Sequence, residues 1–240
     1  VQEALVDSAK MLAFTLGNNM NRAIKKPGTR SKGIAMLRQE MIKAQEYLEK
    51  RNSDKKPPVS LRMEALADLL EGKLTALVTV HKANDIMTAI RFQKEFGFPM
   101  ILDGAAEAYL VMDEIKAADV PVIIHPTMMR TYGDTKNASF ETAGKLYKAG
   151  IPIAFQSGYE GYVPKTRVVL FEAGVAAANG LGKDNALKVL TIDAAKMLGI
   201  DNKVGSLEKG KDADLALFNG DPLEYTTNVT GVIINGKKVK

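Results

Sequence analysis

The sequence predicts an α/β chain of the (β/α)8 TIM-barrel type that supplies about four βα units, followed by a small β layer at its carboxyl end. Three observations carry this. First, four short apolar runs, Thr75 to Val80, Pro99 to Leu102, Pro121 to Ile124 and Ile151 to Phe155, alternate with helical patterns. Strands apolar on both faces and separated by helices pair in parallel, with the helices outside. Second, each run ends in a residue with chemistry: His81, Asp103, His125, and Gln156 with Ser157. An open doubly wound sheet also satisfies the alternation, but a barrel gathers the carboxyl ends of its strands at one mouth, where catalytic groups are carried. Third, Lys203 to Lys240 changes character, with alternating Asp214 to Phe218, then Val232 to Ile234, and tight-turn pairs at Asn219-Gly220 and Asn235-Gly236.

Taken in order, Val1 to Phe14 shows mixed helical spacing and leads into Gly17 to Gly33, a loop with Arg22, Lys25, Lys26, Arg30 and Lys32 and no acidic residue. A solvated loop is its plain reading, and anion binding comes next. Ile34, Leu37, Met41, Ala44 and Leu48 recur at helical spacing and predict an amphipathic helix ending near Arg51. After a polar, proline-bearing hinge from Asn52 to Pro58, Ser60 caps a short helix that turns Ala65, Leu66, Leu69 and Leu70 inward and ends at Gly72. The helices between the runs are Asn84 to Phe96, Ala106 to Ala118 and Ala138 to Ala149. Gly158 opens a loop with Tyr159, Glu160, Tyr162, Lys165 and Arg167, and helices Val169 to Asn179 and Asn185 to Leu198 follow.

Composition narrows the function classes. Of 240 residues, 46% are hydrophobic and 25% charged, as in folded soluble domains. No stretch is apolar enough to span a bilayer, so no membrane partner is expected, and cytoplasm is the default compartment. Without cysteine, disulfides, thiolate metal sites and cysteine nucleophiles are excluded. A net charge of +5, with no aromatics interleaved in the basic loop, argues against nucleic acid. Residues 1–200 read as the partial barrel and 201–240 as the β layer. The chain opens on Val1 and runs straight into sequence of interior character, as a portion of a longer protein would.

The run from Val204-Gly205-Ser206-Leu207-Glu208-Lys209-Gly210 through Lys211-Asp212-Ala213-Asp214-Leu215, with Asn219-Gly220-Asp221-Pro222-Leu223 and Val232-Ile233-Ile234-Asn235-Gly236, resembles the amidohydrolase superfamily, in particular its imidazolonepropionase-like branch. Thr191 to Ile200 is similar to the family's last barrel helix, although Asn-Pro-Ala-Lys is commoner there than Asp193-Ala194-Ala195-Lys196. The resemblance runs from about Thr75 to Lys240. It implies a distorted barrel of which this chain holds strands five to eight, a β-sandwich built from both termini, and one or two divalent metals, zinc first, that activate water against a C–N bond.

Carried over residue by residue, the resemblance makes His81 a metal ligand on strand five and puts Asp103 where strand six has a histidine, as ligand or catalytic proton acceptor. Strand eight offers Gly158 in place of an aspartate, with Glu160 two residues on as the candidate catalytic substitute. His125 ends strand seven, not a usual ligand position, and is a candidate substrate-binding residue with Tyr159, Lys165 and Arg167. The family's His-x-His pair is absent, since His81 and His125 are the only histidines. The expected function is therefore hydrolysis of a C–N bond in a small molecule, non-peptide amide, cyclic amide or dipeptide-like, with the N-terminal half of the barrel supplied by a longer chain or by a homo-oligomer. The alternative is a non-catalytic ligand-binding or scaffold descendant of the same fold.

Overall fold

A computed structural model describes residues 10–17, 20, 27–54, 56–125, 127, 132–160, 163–164 and 168–239, without the side chains of residues 159, 160, 163 and 164. The chain divides into two compact units, Val1–Val120 and Pro121–Lys240.

In the first unit three strands, β1 (Met11–Thr15), β2 (Thr75–Val80) and β3 (Met100–Gly104), pair in parallel, Met11 opposite Thr75 and Ala76 opposite Met100. Two of these were legible as apolar runs, but Met11–Thr15 lies in the segment expected to be helical. A run as short as Met-Leu-Ala-Phe-Thr fits either period, and here pairing with β2 decides. Helix α1 (Arg30–Arg51) is longer than its apolar stripe suggested, because Thr29 caps it by accepting the Lys32 N–H. Arg30 and Lys32 thus belong to its first turn instead of a loop; Arg22, Lys25 and Lys26 lie outside the described residues. Helix α2 (Leu61–Leu70) is capped by Ser60 as expected. Helix α3 (Ala83–Phe96) buries Ile86, Ala89, Ile90 and Phe92, and Phe92 meets Phe98 edge to face at 5.6 Å. The helix expected over Ala106 to Ala118 is shorter: a 3-10 turn at Ala108–Leu110 precedes α4 (Met112–Ala117).

In the second unit β4 (Val122–Ile124) and β5 (Ile153–Phe155) pair in parallel, with α5 (Thr142–Lys148) between them. A two-residue ribbon follows, β6 (Tyr159–Glu160) against β7 (Val163–Pro164). Helix α6 (Val169–Ala176) runs into a wide turn at Ala177–Leu181, broken where Asn179 leaves helical geometry. The single helix expected over Asn185 to Leu198 is two, α7 (Lys183–Leu190) and α8 (Ile192–Met197). Thr191 separates them at φ −120° and ψ −94°, its hydroxyl turned back onto the Leu187 carbonyl. The tail is antiparallel, with β9 (Val229–Ile234) between β8 (Leu215–Phe218) and β10 (Lys237–Lys238). Asn235-Gly236 forms the expected tight turn, both residues in the left-handed region. Asn219-Gly220 does not: it opens a longer loop closed by Asn228 N–H donating to Asn219 Oδ1. No helix among the described residues is long and apolar enough to cross a membrane.

The α1–α2 hairpin is tied by charge. Arg51 reaches Glu64 and Glu71 at 2.7 Å each, and the Tyr47 hydroxyl donates to Glu64. The Tyr47 hydroxyl and Arg51 hold the Glu64 carboxyl below the usual carboxylate range, while Lys73 and Arg51 do the same for Glu71. Carboxyls depressed in the folded state contribute stability above their unfolded pKa of about 4.3 and lose it as pH falls through the folded value. Arg51→Ala is therefore expected to lower Tm at neutral pH and to flatten its fall on acidification. Thermal melts from about pH 7 to pH 3 read this difference, and identical pH slopes for the two proteins contradict the assignment.

Candidate functional site

His81 leaves β2 at its carboxyl end, two residues before α3 begins. Glu107, 7% exposed, holds the chain on both sides of it: its N–H donates to the His81 carbonyl at 2.8 Å, and its carboxylate accepts the Ala83 N–H at 2.8 Å. The acceptor is well placed, because the first N–H groups of a helix have no partner within it and carry the positive end of its dipole. The imidazole itself lies against Gly104 at the end of β3. A Cβ there would stand 2.5 Å from His81 Cε1, and Gly104 also has φ +85°, so only glycine accommodates both the ring and the backbone. Beside them, Thr79 and Asp103 are direct partners across β2 and β3, and the Thr79 hydroxyl donates to Asp103 Oδ2 at 2.7 Å. The carboxylate is thereby oriented from the neighbouring strand.

The second unit repeats this arrangement around His125, which follows β4. The N–H two residues on, that of Thr127, donates to Glu172 Oε2 at 2.7 Å, and the Thr127 hydroxyl hydrogen-bonds to the same carboxylate and to the Glu172 carbonyl. Glu172 is 2% exposed and reaches the site from α6. Its Oε1 lies 3.8 Å from His125 Nδ1. The His125 ring rests against Gly158, whose φ is +71° and whose Cβ, if present, would run into Cε1 and Nε2.

Of the residues singled out from sequence, His81 and Asp103 thus stand on adjacent strand ends of the first unit, and His125 at a strand end of the second. Tyr159 and Glu160 form the short strand β6, with their backbones paired to Pro164 and Val163; their side chains, and all of Lys165 and Arg167, lie outside the described residues. Sequence reasoning missed Glu107 and Glu172. A signal existed for both: each is a lone charge in an apolar or small-residue stretch, Gly104-Ala105-Ala106-Glu107-Ala108 and Val169-Leu170-Phe171-Glu172-Ala173, where an ionised side chain has to find donors.

A resident divalent ion needs several converging donors. Among the described residues no three His, Asp or Glu side chains converge to hold one. Asp103 accepts a hydrogen bond from Thr79, and Gly158 offers no donor while the His125 ring fills its Cβ direction. Zinc takes three or four such donors, and this described set does not fit it.

Comparison with known proteins sets these features in a family. Residues 17–239 match the model of the amidohydrolase family. An amidohydrolase structure from Thermotoga maritima MSB8 superposes on 100% of this chain and 64% of its own, with TM-score 0.92 and 31% identity. The imidazolonepropionase of Shewanella oneidensis is 38% identical over 101 residues, covering 39% of this chain and 25% of the relative. A 5-methylthioadenosine/S-adenosylhomocysteine deaminase of Thermoanaerobacter pseudethanolicus is 29% identical over 177 residues, 62% of this chain and 40% of the relative. The chain therefore spans only part of the length of each. With parallel βα units that end in histidines, an antiparallel tail and a family match over nearly all of its 240 residues, this chain belongs to the amidohydrolase family.

Proposed function

We propose that the protein hydrolyses a C–N bond in a small molecule, a non-peptide amide, a cyclic amide or a dipeptide-like compound, as part of a longer chain or an oligomer. The observation that carries this is the fixed imidazole of His81. Its backbone is stapled by a buried glutamate, its ring is seated on a glycine, and an oriented carboxylate, Asp103, stands on the next strand. Groups held in place before substrate arrives lower the cost of organising a transition state. Deaminases and imidazolonepropionases among the relatives support the bond class. In this reading residues 1–200 are barrel elements and 201–240 are strands of a β-sandwich. Tyr159, Lys165 and Arg167 bind substrate together with His125, and Glu160 is a further catalytic carboxylate. His81 offers the nitrogen donor that zinc favours, but the donor set among the described residues is incomplete.

A second reading, ligand binding without turnover, is favoured by the lack of a side-chain donor at Gly158. Purified protein that neither binds zinc in calorimetry nor hydrolyses any of a panel of cyclic amides, N-acyl amino acids and dipeptides would establish it over the first.

For the hydrolase, His81→Ala is expected to lower kcat/KM by about 10²-fold or more while the far-ultraviolet circular dichroism stays unchanged; full activity in a folded variant refutes the assignment. Glu107 is expected to act through backbone position. Glu107→Ala strands the Ala83 N–H and is expected to cost about 1–3 kcal/mol in denaturant unfolding, whereas Glu107→Gln keeps an acceptor and costs less. Equal losses in the two variants would show that the hydrogen bond is not what matters.

A further inference from the structure

We infer that His125 and Glu172 form an acid–base pair, with Glu172 as a positioning residue that keeps the proton of the neutral imidazole on Nδ1 and leaves Nε2 as a proton acceptor. Four observations converge on this within the second unit. Glu172 is a carboxylate buried to 2% exposure. Its Oε2 takes both the N–H and the hydroxyl of Thr127, so the oxygen turned to His125 is Oε1, 3.8 Å from Nδ1. Nδ1 is itself fully buried and has no hydrogen-bond partner among the described residues. The side chain nevertheless keeps 24% of its surface exposed, and with Nδ1 buried that exposure belongs to its other atoms.

Electrostatics then selects the tautomer. A lone pair on Nδ1 would face a carboxylate oxygen 3.8 Å away, which is repulsive, while an N–H there is attractive and strengthens further if the ring becomes an imidazolium. The separation is longer than a hydrogen bond, and such contacts in unliganded sites often tighten only when a ligand arrives. Gly158 serves the same end: with no Cβ in the way, the Cε1–Nε2 edge of the ring can lie over the glycine backbone.

In catalysis, a use that rests on the hydrolase reading above, His125 Nε2 would take a proton from water as its oxygen bonds to the carbonyl carbon. The imidazolium would then return that proton to the leaving nitrogen as the C–N bond breaks, and the ring ends neutral. The tautomer does not rest on that reading.

The test uses nitrogen-15 NMR of the imidazoles in the intact protein. The chain has only two histidines, so His125→Asn assigns both ring systems. The wild type is expected to show His125 protonated at Nδ1 with a pyridine-like Nε2, and Glu172→Gln is expected to shift the population toward the Nε2–H form while leaving the His81 signals in place. A wild-type ring protonated at Nε2 overturns the proposal without any variant, as do unchanged His125 signals in folded Glu172→Gln. If that variant does not fold, Thr127→Val, which removes one donor to Oε2 and leaves the carboxylate, is expected to perturb the His125 signals and not those of His81; no change there also overturns it. Failure of hydrolysis with the expected tautomer intact would count against the hydrolase reading alone.

Discussion

The site depends on buried carboxylates that satisfy backbone N–H groups two residues beyond each histidine. Glu107 does this for Ala83 and Glu172 for Thr127. Taking an ionised carboxylate out of water costs several kcal/mol and is tolerated only where donors replace the lost hydration. That requirement works in both directions. The glutamate needs the N–H of one particular turn, and the turn needs an acceptor below the surface, so strand end, histidine and following segment are locked in one conformation. In the first unit the lock also contains the His81 carbonyl, held by the Glu107 N–H, which leaves little freedom for the residue between.

The glycines complete the constraint from the opposite side. A histidine ring at a strand end needs space, and the chain at or just beyond the neighbouring strand end would ordinarily place a Cβ in it. Gly104 and Gly158 remove that atom and take backbone conformations that L side chains adopt only at a cost of about 1–2 kcal/mol. Because each position is required twice, once for room and once for φ, replacing either glycine would move the ring as well as strain the chain. The same arrangement, a histidine, an N–H two residues on that donates to a buried glutamate, and a glycine at or beyond the end of the following strand, occurs in both units. It is a property of the βα unit, and the chemistry is built on top of it.

The sequence made the scaffold largely legible and the site only in part. Strands β2 to β5 stood out because apolar runs bounded by helices have few other readings, and the Asn235-Gly236 hairpin and the Ser60 cap have local causes that any chain context preserves. Met11–Thr15 was misread because its partner lies at Thr75–Thr79 and no local pattern separates four apolar residues and a threonine of a strand from a helical turn. Thr191 broke a helix that periodicity had joined, since period alone does not register a single residue leaving helical geometry. At the site, His81, Asp103 and His125 could be found because each follows an apolar run. Their supporting residues could not, because Glu107 and Glu172 act across 24 and 45 residues of chain, and such pairings exist only once the fold is made.

The segment that resembles the family most closely is not the segment that carries its chemistry. In the run from Val204 to Leu215, Lys211 Nζ donates to Ser206 Oγ, Ser206 Oγ donates to Glu208, and the Asp212 N–H donates to the Lys203 carbonyl. Asp214 Oδ1 accepts the Asn235 N–H and ties the run to the β9–β10 turn. These polar groups shape turns and join the tail. Family membership therefore reports that the βα units and the antiparallel tail assemble in a known way, whereas the proposed reaction is assigned to strand-end residues, where this chain has Asp103 and Gly158 at positions that the resemblance gives to a histidine and an aspartate. A fold can accept such exchanges without losing its architecture, and here the room left at Gly158 is filled by the ring of His125. The chemistry of this chain has to be argued from that ring and its buried carboxylate, and from His81 with Asp103, more than from the family signature.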